Sequence, residues 1–310
     1  MGRKRRGQPI NGWISIDKPS GQTSTQVMAK VRRCVDAAKA GHGGTLDPMA
    51  TGVLPIALGE ATKTVSYVMD SQKRYIFSVS WGEERTTDDL EGEVTTVSDS
   101  RPSGREILAV LNEFTGTIEQ VPPKFSAIKI DGERAYSRAR AGKSVSLQKR
   151  PVIVNKLSLI EMLNNDCAVF EVICGKGTYV RSLARDIGRR LNTAGYVKEL
   201  RRTQCGPFLE SNSISLETLE TLVHSAPPSD YLLSVGTALD DIPALALNIT
   251  QADHLRHGRP VRVQDKEGRS HLETRGLVNG DVCCATADGQ PVALARLTDG
   301  EIRVIRVLNI

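Results

Sequence analysis

Gly41-His42-Gly43-Gly44-Thr45-Leu46-Asp47-Pro48-Met49-Ala50-Thr51-Gly52 sets four glycines and a proline around one carboxylate and one imidazole. Glycine opens backbone conformations closed to other residues and lets another chain approach closely. Pro48 biases Asp47 towards extended backbone and argues against a helix. The apolar run Val53-Leu54-Pro55-Ile56-Ala57-Leu58 follows and can seat the loop in a core. An acid on such a loop is suited to chemistry, although on turn statistics Asp-Pro is also a common turn initiator. The glycines do not form a phosphate-binding loop, because no Lys-Ser or Lys-Thr pair follows them.

Upstream of the loop, Gly12 to Asp17 alternates as a strand and stops at Lys18-Pro19-Ser20-Gly21. Thr23 or Ser24 can cap a helix running to about Ala38. Downstream, a second helix is expected from about Ala61 to Met69, a strand from Tyr75 to Trp81, and a short helix from Arg105 to Glu113. Strands resume over Val152 to Glu161 and Ala168 to Cys174. Tyr179 to Leu191 reads as a helix with Val180, Leu183, Ile187 and Leu191 buried and Arg181, Arg185 and Arg189 on another face. From about Ala244, turn signals recur every eight to twelve residues and suggest a small all-β barrel.

The 310 residues have room for one large domain and a small one. Hydrophobic content of 39% and charged content of 25% are ordinary for a globular chain, and 4% aromatics argue against an extended stacking platform. No apolar run approaches the ~20 residues of a membrane span, and the basic N-terminus has no apolar stretch behind it, so the cytoplasm is the expected compartment. Six cysteines lack any Cys-x-x-Cys or zinc spacing and read as reduced structural thiols. His254 and His257 read as surface residues. No metal or cofactor motif is present.

Net charge is only +5, but Lys124 to Arg150 carries +6 and Lys176 to Arg202 another +6. Concentrated positive charge is the footprint of a polyanion partner such as nucleic acid; a solvated helix face is the plainer alternative.

Several ordered motifs resemble the TruB pseudouridine synthases, which isomerise a uridine in the T loop of tRNA. Gly41-His42-x-Gly44-Thr45-Leu46-Asp47-Pro48, with Gly59-x-Ala61-Thr62-Lys63 after it, resembles the family's catalytic signature. Asp17-Lys18-Pro19-Ser20-Gly21, Lys73-Arg74-Tyr75, Pro122-Pro123-x-Phe125-Ser126-Ala127-Ile128-Lys129, Lys176-Gly177-Thr178-Tyr179-Val180-Arg181 and Leu200-Arg201-Arg202-Thr203 match further motifs in the family's order. Gly43 stands where the family has Thr, which would loosen the loop, and Thr86 stands where an acid is common. The resemblance covers roughly residues 10 to 210; the last segment resembles a PUA domain by texture.

The resemblance implies an α+β chain: a mixed, mainly antiparallel sheet flanked by helices, followed by a small PUA-like β-barrel. Its expected divisions are a disordered basic tail (1–9), a catalytic domain (10–243) with an RNA-gripping thumb (124–151), and a PUA-like domain (244–310). It also implies U55 of tRNA as the target, with Asp47, Tyr75 and Arg181 as catalytic residues and no cofactor or metal. Asp47 attacks the ribose or the uracil, or removes a ribose proton; Arg181 stabilises its charge or contacts phosphate. Tyr75 lies against the base, and otherwise reads as a core residue. His42 wedges into the space left by the flipped uridine. Tyr179 and Leu200 wall the pocket, Lys18 supports the Asp47 loop, and Lys129, Arg140, Arg201 and Arg202 hold RNA. The expected partner is the tRNA T arm, without membrane, guide RNA or an obligate protein partner. Competing readings are a non-catalytic RNA-binding or tRNA-folding protein and a glycoside-type hydrolase, for which Asp89 is the one candidate second acid.

Overall fold

Even-numbered residues of the first strand, Ile14 and Ile16, turn to one face of a sheet, and odd-numbered Trp13 turns to the other; all three are fully buried. That alternation runs through a computed structural model in which residues 7–126, 128–130, 132–141, 145–263 and 276–310 are described. In chain order come β1 (Gly12–Lys18), α1 (Ser24–Cys34), β2 (Ala40–His42), β3 (Thr51–Leu58), α2 (Val65–Asp70), β4 (Lys73–Trp81), β5 (Glu83–Arg85), β6 (Val94–Val97), α3 (Gly104–Val110) and β7 (Gly116–Gln120). The basic segment after β7 forms β8 (Lys129–Ile130), β9 (Glu133–Arg134) and α4 (Ala135–Arg140). Then follow β10 (Arg150–Asn164), β11 (Cys167–Cys174), α5 (Val180–Arg190), β12 (Gly195–Cys205), β13 (Phe208–Leu209) and α6 (Leu216–Ser225). The last segment holds β14 (Ala244–Ala246), α7 (Ile249–Arg256), β15 (Val261–Arg262), β16 (Val282–Ala287), β17 (Gln290–Thr298) and β18 (Glu301–Val307).

The main sheet has the order β1-β3-β12-β4-β11-β10-β7, with β2 beside β3 and β13 beside β12. Every pairing in it is antiparallel except β3 with β12, where Arg201 faces Thr51 and Arg202 faces Gly52. Gly52 makes that junction possible: its φ is +97°, and a Cβ there would run into the Arg202 carbonyl. The junction sets the Asp47 loop against the middle of the sheet. One face is covered by α1, α5 and α6, with Val27, Val31, Leu183, Ile187 and Leu219 packed on Ile14, Ile16, Leu54, Phe77 and Phe170.

Three helix expectations change. The first helix ends at Cys34, because Asp36 adopts φ +49° and the chain turns back to bury Ala37. The second splits into a 3-10 turn (Gly59–Lys63) and α2, since the Thr64 hydroxyl donates to the Ala61 carbonyl and caps the first piece. The Arg105 to Glu113 helix starts one residue earlier behind a Ser103/Glu106 capping box and ends in a 3-10 turn. At the N-terminus residues 1–6 lie outside the described residues, whereas Gln8 is tied to the main body, its N–H donating to Asp36 O and its C=O accepting from Ala38 N.

The second sheet has the order β14-β16-β17-β18-β15. It is not purely β: α7 packs its Ala252 and Leu255 into the same core as Leu245, Val292 and Ile302. The turn signals fall where expected, with Asp288 and Asp299 at φ +48° and +51°. Cys284, Leu294 and Leu308 of this segment share a second apolar core with Trp13, Val53 and Phe208. Lys63 Nζ also donates to Val307 O (2.8 Å) and Asn309 N to Glu60 Oε2 (2.8 Å).

Candidate active site

The Asp47 loop is anchored on every side. Leu46 N donates to Ser24 Oγ at 2.8 Å and Ser24 Oγ donates back to Leu46 O at 3.0 Å. Lys18 is fully buried, and its ammonium donates to Pro19 O, Gln22 O and Pro48 O at 2.8, 2.7 and 3.0 Å. Burial pulls its pKa down to about 8, against the attraction of Asp47. Lys18 thus joins the Pro48 carbonyl of the loop to the carbonyls of Pro19 and Gln22.

Asp47 itself stays partly open, with 31% of its side chain exposed, and it meets Arg181 from below. Arg181 Nε lies 2.8 Å from Oδ2, and Nη2 donates to Oδ1 at 3.0 Å. The guanidinium is buried, and both its Nη atoms are used: Nη1 donates to Thr87 O (2.8 Å), Nη2 to Phe125 O (2.9 Å), and Asp89 Oδ2 lies 3.2 Å from Nη1. Burial pushes the Asp47 carboxyl above its ordinary range, Arg181 pulls against that push, and Asp89 adds to it. A carboxylate with one face open and a fixed counter-charge behind it is equipped to attack or to take a proton.

Tyr179 caps α5 and is clamped by Gln120: Tyr179 N donates to Gln120 Oε1 (2.8 Å) and Gln120 Nε2 to Tyr179 O (3.0 Å). Burial raises its phenol pKa, the neighbouring Ser126 hydroxyl opposes, and the charge of Asp47 raises it further. Tyr75 is half-buried opposite Arg202, and burial pushes its phenol up to about 12 against the pull of that guanidinium. Leu200 lies opposite Phe77, is 7% exposed, and packs in the main core on the same sheet face. His42 ends β2 opposite Ile56 at the mouth of the loop. Lys129 and Arg140 belong to β8 and α4, but their side chains lie outside the described residues.

Two arginines expected on RNA phosphate are placed elsewhere. Arg202 is 1% exposed, and its Nε and Nη2 donate to Val53 O (2.8 Å) and Gly44 O (3.1 Å). Alternation turns Arg201 to the opposite sheet face, where it pairs with Asp17 (2.8 Å) and Glu210 (2.5 Å). The α5 arginines are likewise not a free basic face. Arg185 is buried against Asp88 and Asp186, both at 2.8 Å, and Arg189 meets Glu84 in a fork at 2.7 Å. Two of those three acids, Glu84 and Asp88, come from β5 and the connection after it, so the Lys124–Arg150 segment remains the stronger candidate for polyanion contact.

Asp89 and Gln120 touch Arg181 and Tyr179, and the sequence alone placed neither beside them. Asp89 had a signal, its place three residues after Thr86, which stands where an acid is common; Gln120 had none beyond its place before Pro122. A cleft of about 1220 Å³ opens beside the site, lined by Thr87, Glu91, Lys124, Phe125, Leu147 and Arg185. Asp47 and Tyr75 do not line it. Thr87 and Phe125, whose carbonyls hold Arg181, form the wall between. Among the described residues no group of three or more His, Cys, Asp or Glu side chains is placed to hold a metal.

Gly43 does not loosen the loop. A Cβ there would lie 2.6 Å from Val68 Cγ1 and 3.4 Å from Pro55 Cβ, so Val68 fills the volume a side chain would need. Gly43→Ala is expected to cost about 1–3 kcal/mol by overpacking. In a Val68→Ala background the cost should shrink, as read by urea unfolding; equal costs in both backgrounds would contradict the contact.

A family model described as TruB family pseudouridylate synthase, N-terminal domain, matches residues 32–180, and one described as the tRNA pseudouridylate synthase B C-terminal domain matches 181–240. A Rhodospirillum rubrum protein named tRNA pseudouridine synthase B is 51% identical over the full length of both chains. A Bradyrhizobium diazoefficiens protein of the same name is 52% identical over 99% of this chain and 88% of its own. Among solved structures, a Cbf5-Nop10-Gar1 complex aligns with TM-score 0.75 and 26% identity over 96% of this chain and 84% of that one. An H/ACA RNP bound to a substrate RNA aligns with TM-score 0.75 at 24% identity, over all of this chain and 92% of that one, which speaks to the fold alone. The order of motifs, the mixed sheet and the full-length identity agree: the chain belongs to the TruB family of pseudouridylate synthases.

Proposed function

We propose that this chain isomerises a uridine in the T loop of tRNA, position 55, to pseudouridine. The observation that carries the reading is the half-open Asp47 carboxylate locked to a buried Arg181 at 2.8 and 3.0 Å. The reaction breaks the bond from ribose C1′ to uracil N1 and forms one from C1′ to C5. The proton on C5 leaves and N1 gains one, so electrons balance with no redox partner. Asp47 attacks the ribose or the base, or removes a ribose proton, and Arg181 keeps it ionised. Tyr75 faces the uracil, and Tyr179 and Leu200 wall the pocket. His42 fills the stack after flipping, which costs a few kcal/mol.

The Lys124–Arg150 segment closes on the T loop, reading shape and backbone more than sequence. The chain works without a guide RNA or an obligate protein partner: its thumb segment resembles that of the stand-alone branch, and its half-identical relatives are bacterial. Acting on tRNA places it in the cytoplasm; no helix among the described residues is long and apolar enough to cross a membrane.

The test is tritium release from a T-arm stem-loop labelled at uridine C5, with no metal or cofactor added. Release is expected from the T-loop uridine, with affinity falling steeply as salt rises. Tight, salt-sensitive binding without release would overturn the assignment and leave an RNA-binding protein.

A further inference from the structure

Gln120 ends β7, is 2% exposed, and spends both ends of its amide on one residue 59 positions away in sequence. Its Oε1 accepts from Tyr179 N at 2.8 Å, and its Nε2 donates to Tyr179 O at 3.0 Å. An N–H and a C=O on the same residue admit only one orientation of the amide. Burying an amide is costly unless it is hydrogen-bonded, and an apolar side chain would pack β7 in place without that cost. What the amide adds is a fixed geometry for the backbone of Tyr179.

Tyr179 is the N-cap of α5, where that geometry matters. It makes no side-chain cap, and no acid stands in the first turn, so the helix does not fix its own start. Gln120 does so from outside, and the Tyr179 carbonyl also takes the first helical bond from Leu183 N at 3.1 Å. A turn of this cap would carry the Tyr179 ring and, two residues on, Arg181, which reaches Asp47 at 2.8 and 3.0 Å. The start of the basic segment is held separately. Val121 O accepts from Ser182 Oγ at 2.8 Å and from Arg185 Nη2 at 2.9 Å, and neither bond involves the Gln120 side chain.

We propose that Gln120 is a positioning residue for the isomerisation, setting the start of α5 and with it Tyr179 and Arg181 against Asp47. The inference rests on the function proposed above. It predicts a loss of rate with RNA affinity kept, because Val121 stays anchored when Gln120 lets go.

Single-turnover tritium release at saturating stem-loop, stem-loop affinity and amide exchange are measured for wild type, Gln120→Met and Gln120→Glu. Methionine keeps the length and removes both bonds. Glutamate keeps the size; ionised, it only accepts and sets an oxygen against the Tyr179 carbonyl, whereas protonated it again has a donor and an acceptor. Gln120→Met should slow release by about 10- to 100-fold, the scale of an ångström-level misplacement, with affinity little changed and the Tyr179 amide exchanging faster. The rate of Gln120→Glu relative to wild type should fall as pH rises and the new carboxyl ionises. Its recovery on acidification is a rescue that restored packing alone would not give. A methionine variant as fast as wild type, a loss confined to affinity, or a glutamate variant slowed equally at every pH would each overturn the proposal. Should Gln120→Met fail to fold, the pH series of Gln120→Glu decides by itself. Absence of release by wild type would count against the function, while exchange at Tyr179 would still report the clamp.

Discussion

Asp47→Asn is expected to lower the single-turnover rate of tritium release by on the order of 10⁴-fold or more, the scale seen when a nucleophile or its base is removed. Affinity for the T arm should hardly change, because one neutral amide replaces one small carboxylate at the bottom of the site. Stability moves the other way. Burial and Asp89 raise the Asp47 pKa in the fold, so the folded chain holds that proton more tightly than the unfolded chain does. Stability linked to Asp47 is therefore gained as pH falls through the raised value and is missing at neutral pH. Removing the charge should leave the melting temperature at or above that of wild type, a trade of stability for function. Activity needs the ionised form, so the wild-type rate should fall on acidification with a midpoint above the ordinary carboxylate value. A melting temperature well below wild type would mean that Asp47 chiefly holds the loop together.

The loop and the sheet around it were legible because their signals are local. Pro48 and the glycines exclude a helix, and period-two alternation in Gly12 to Asp17 and Tyr75 to Trp81 is a property of single strands. Helix ends were less legible: nothing local announces that Asp36 adopts φ +49° or that Thr64 caps the preceding turn. The basic residues were the least legible. A count of charge cannot distinguish Arg201 from Arg202, yet one step along β12 sends them to opposite faces, one to Asp17 and the other under the catalytic loop. The same holds for Arg181 and Arg185, each of which takes one of its acids, Asp89 and Asp88, from about a hundred residues away in sequence. Partners brought together by tertiary structure leave no periodic trace. Gly43 is a further case, since its requirement is set by Val68 on the next helix.

Arg181→Met should impair both rate and stability, for one electrostatic reason. The guanidinium lies between Asp47 and Asp89, at 2.8 and 3.2 Å. Without it, two carboxylates, one of them 3% exposed, face each other with no counter-charge, and Thr87 O and Phe125 O lose their donor. Breaking a buried pair from one side costs about 3–5 kcal/mol, nearly all of it the stranded charge. The stranded groups respond by taking up a proton, which raises the Asp47 pKa beyond its already raised value. The rate near neutrality should drop by on the order of 10²–10³-fold, the size of one lost electrostatic contact in a site, and part of it should return as pH rises and Asp47 ionises. Arg181→Lys should lie between, keeping the charge while losing the fork. Adding Asp89→Asn to Arg181→Met removes one of the two opposed charges, so urea unfolding should show stability regained without the full rate. A pH profile for Arg181→Met parallel to wild type would mean that the arginine does not set the ionisation of Asp47. It would then hold the loops of Thr87 and Phe125 in place and do nothing more for the chemistry.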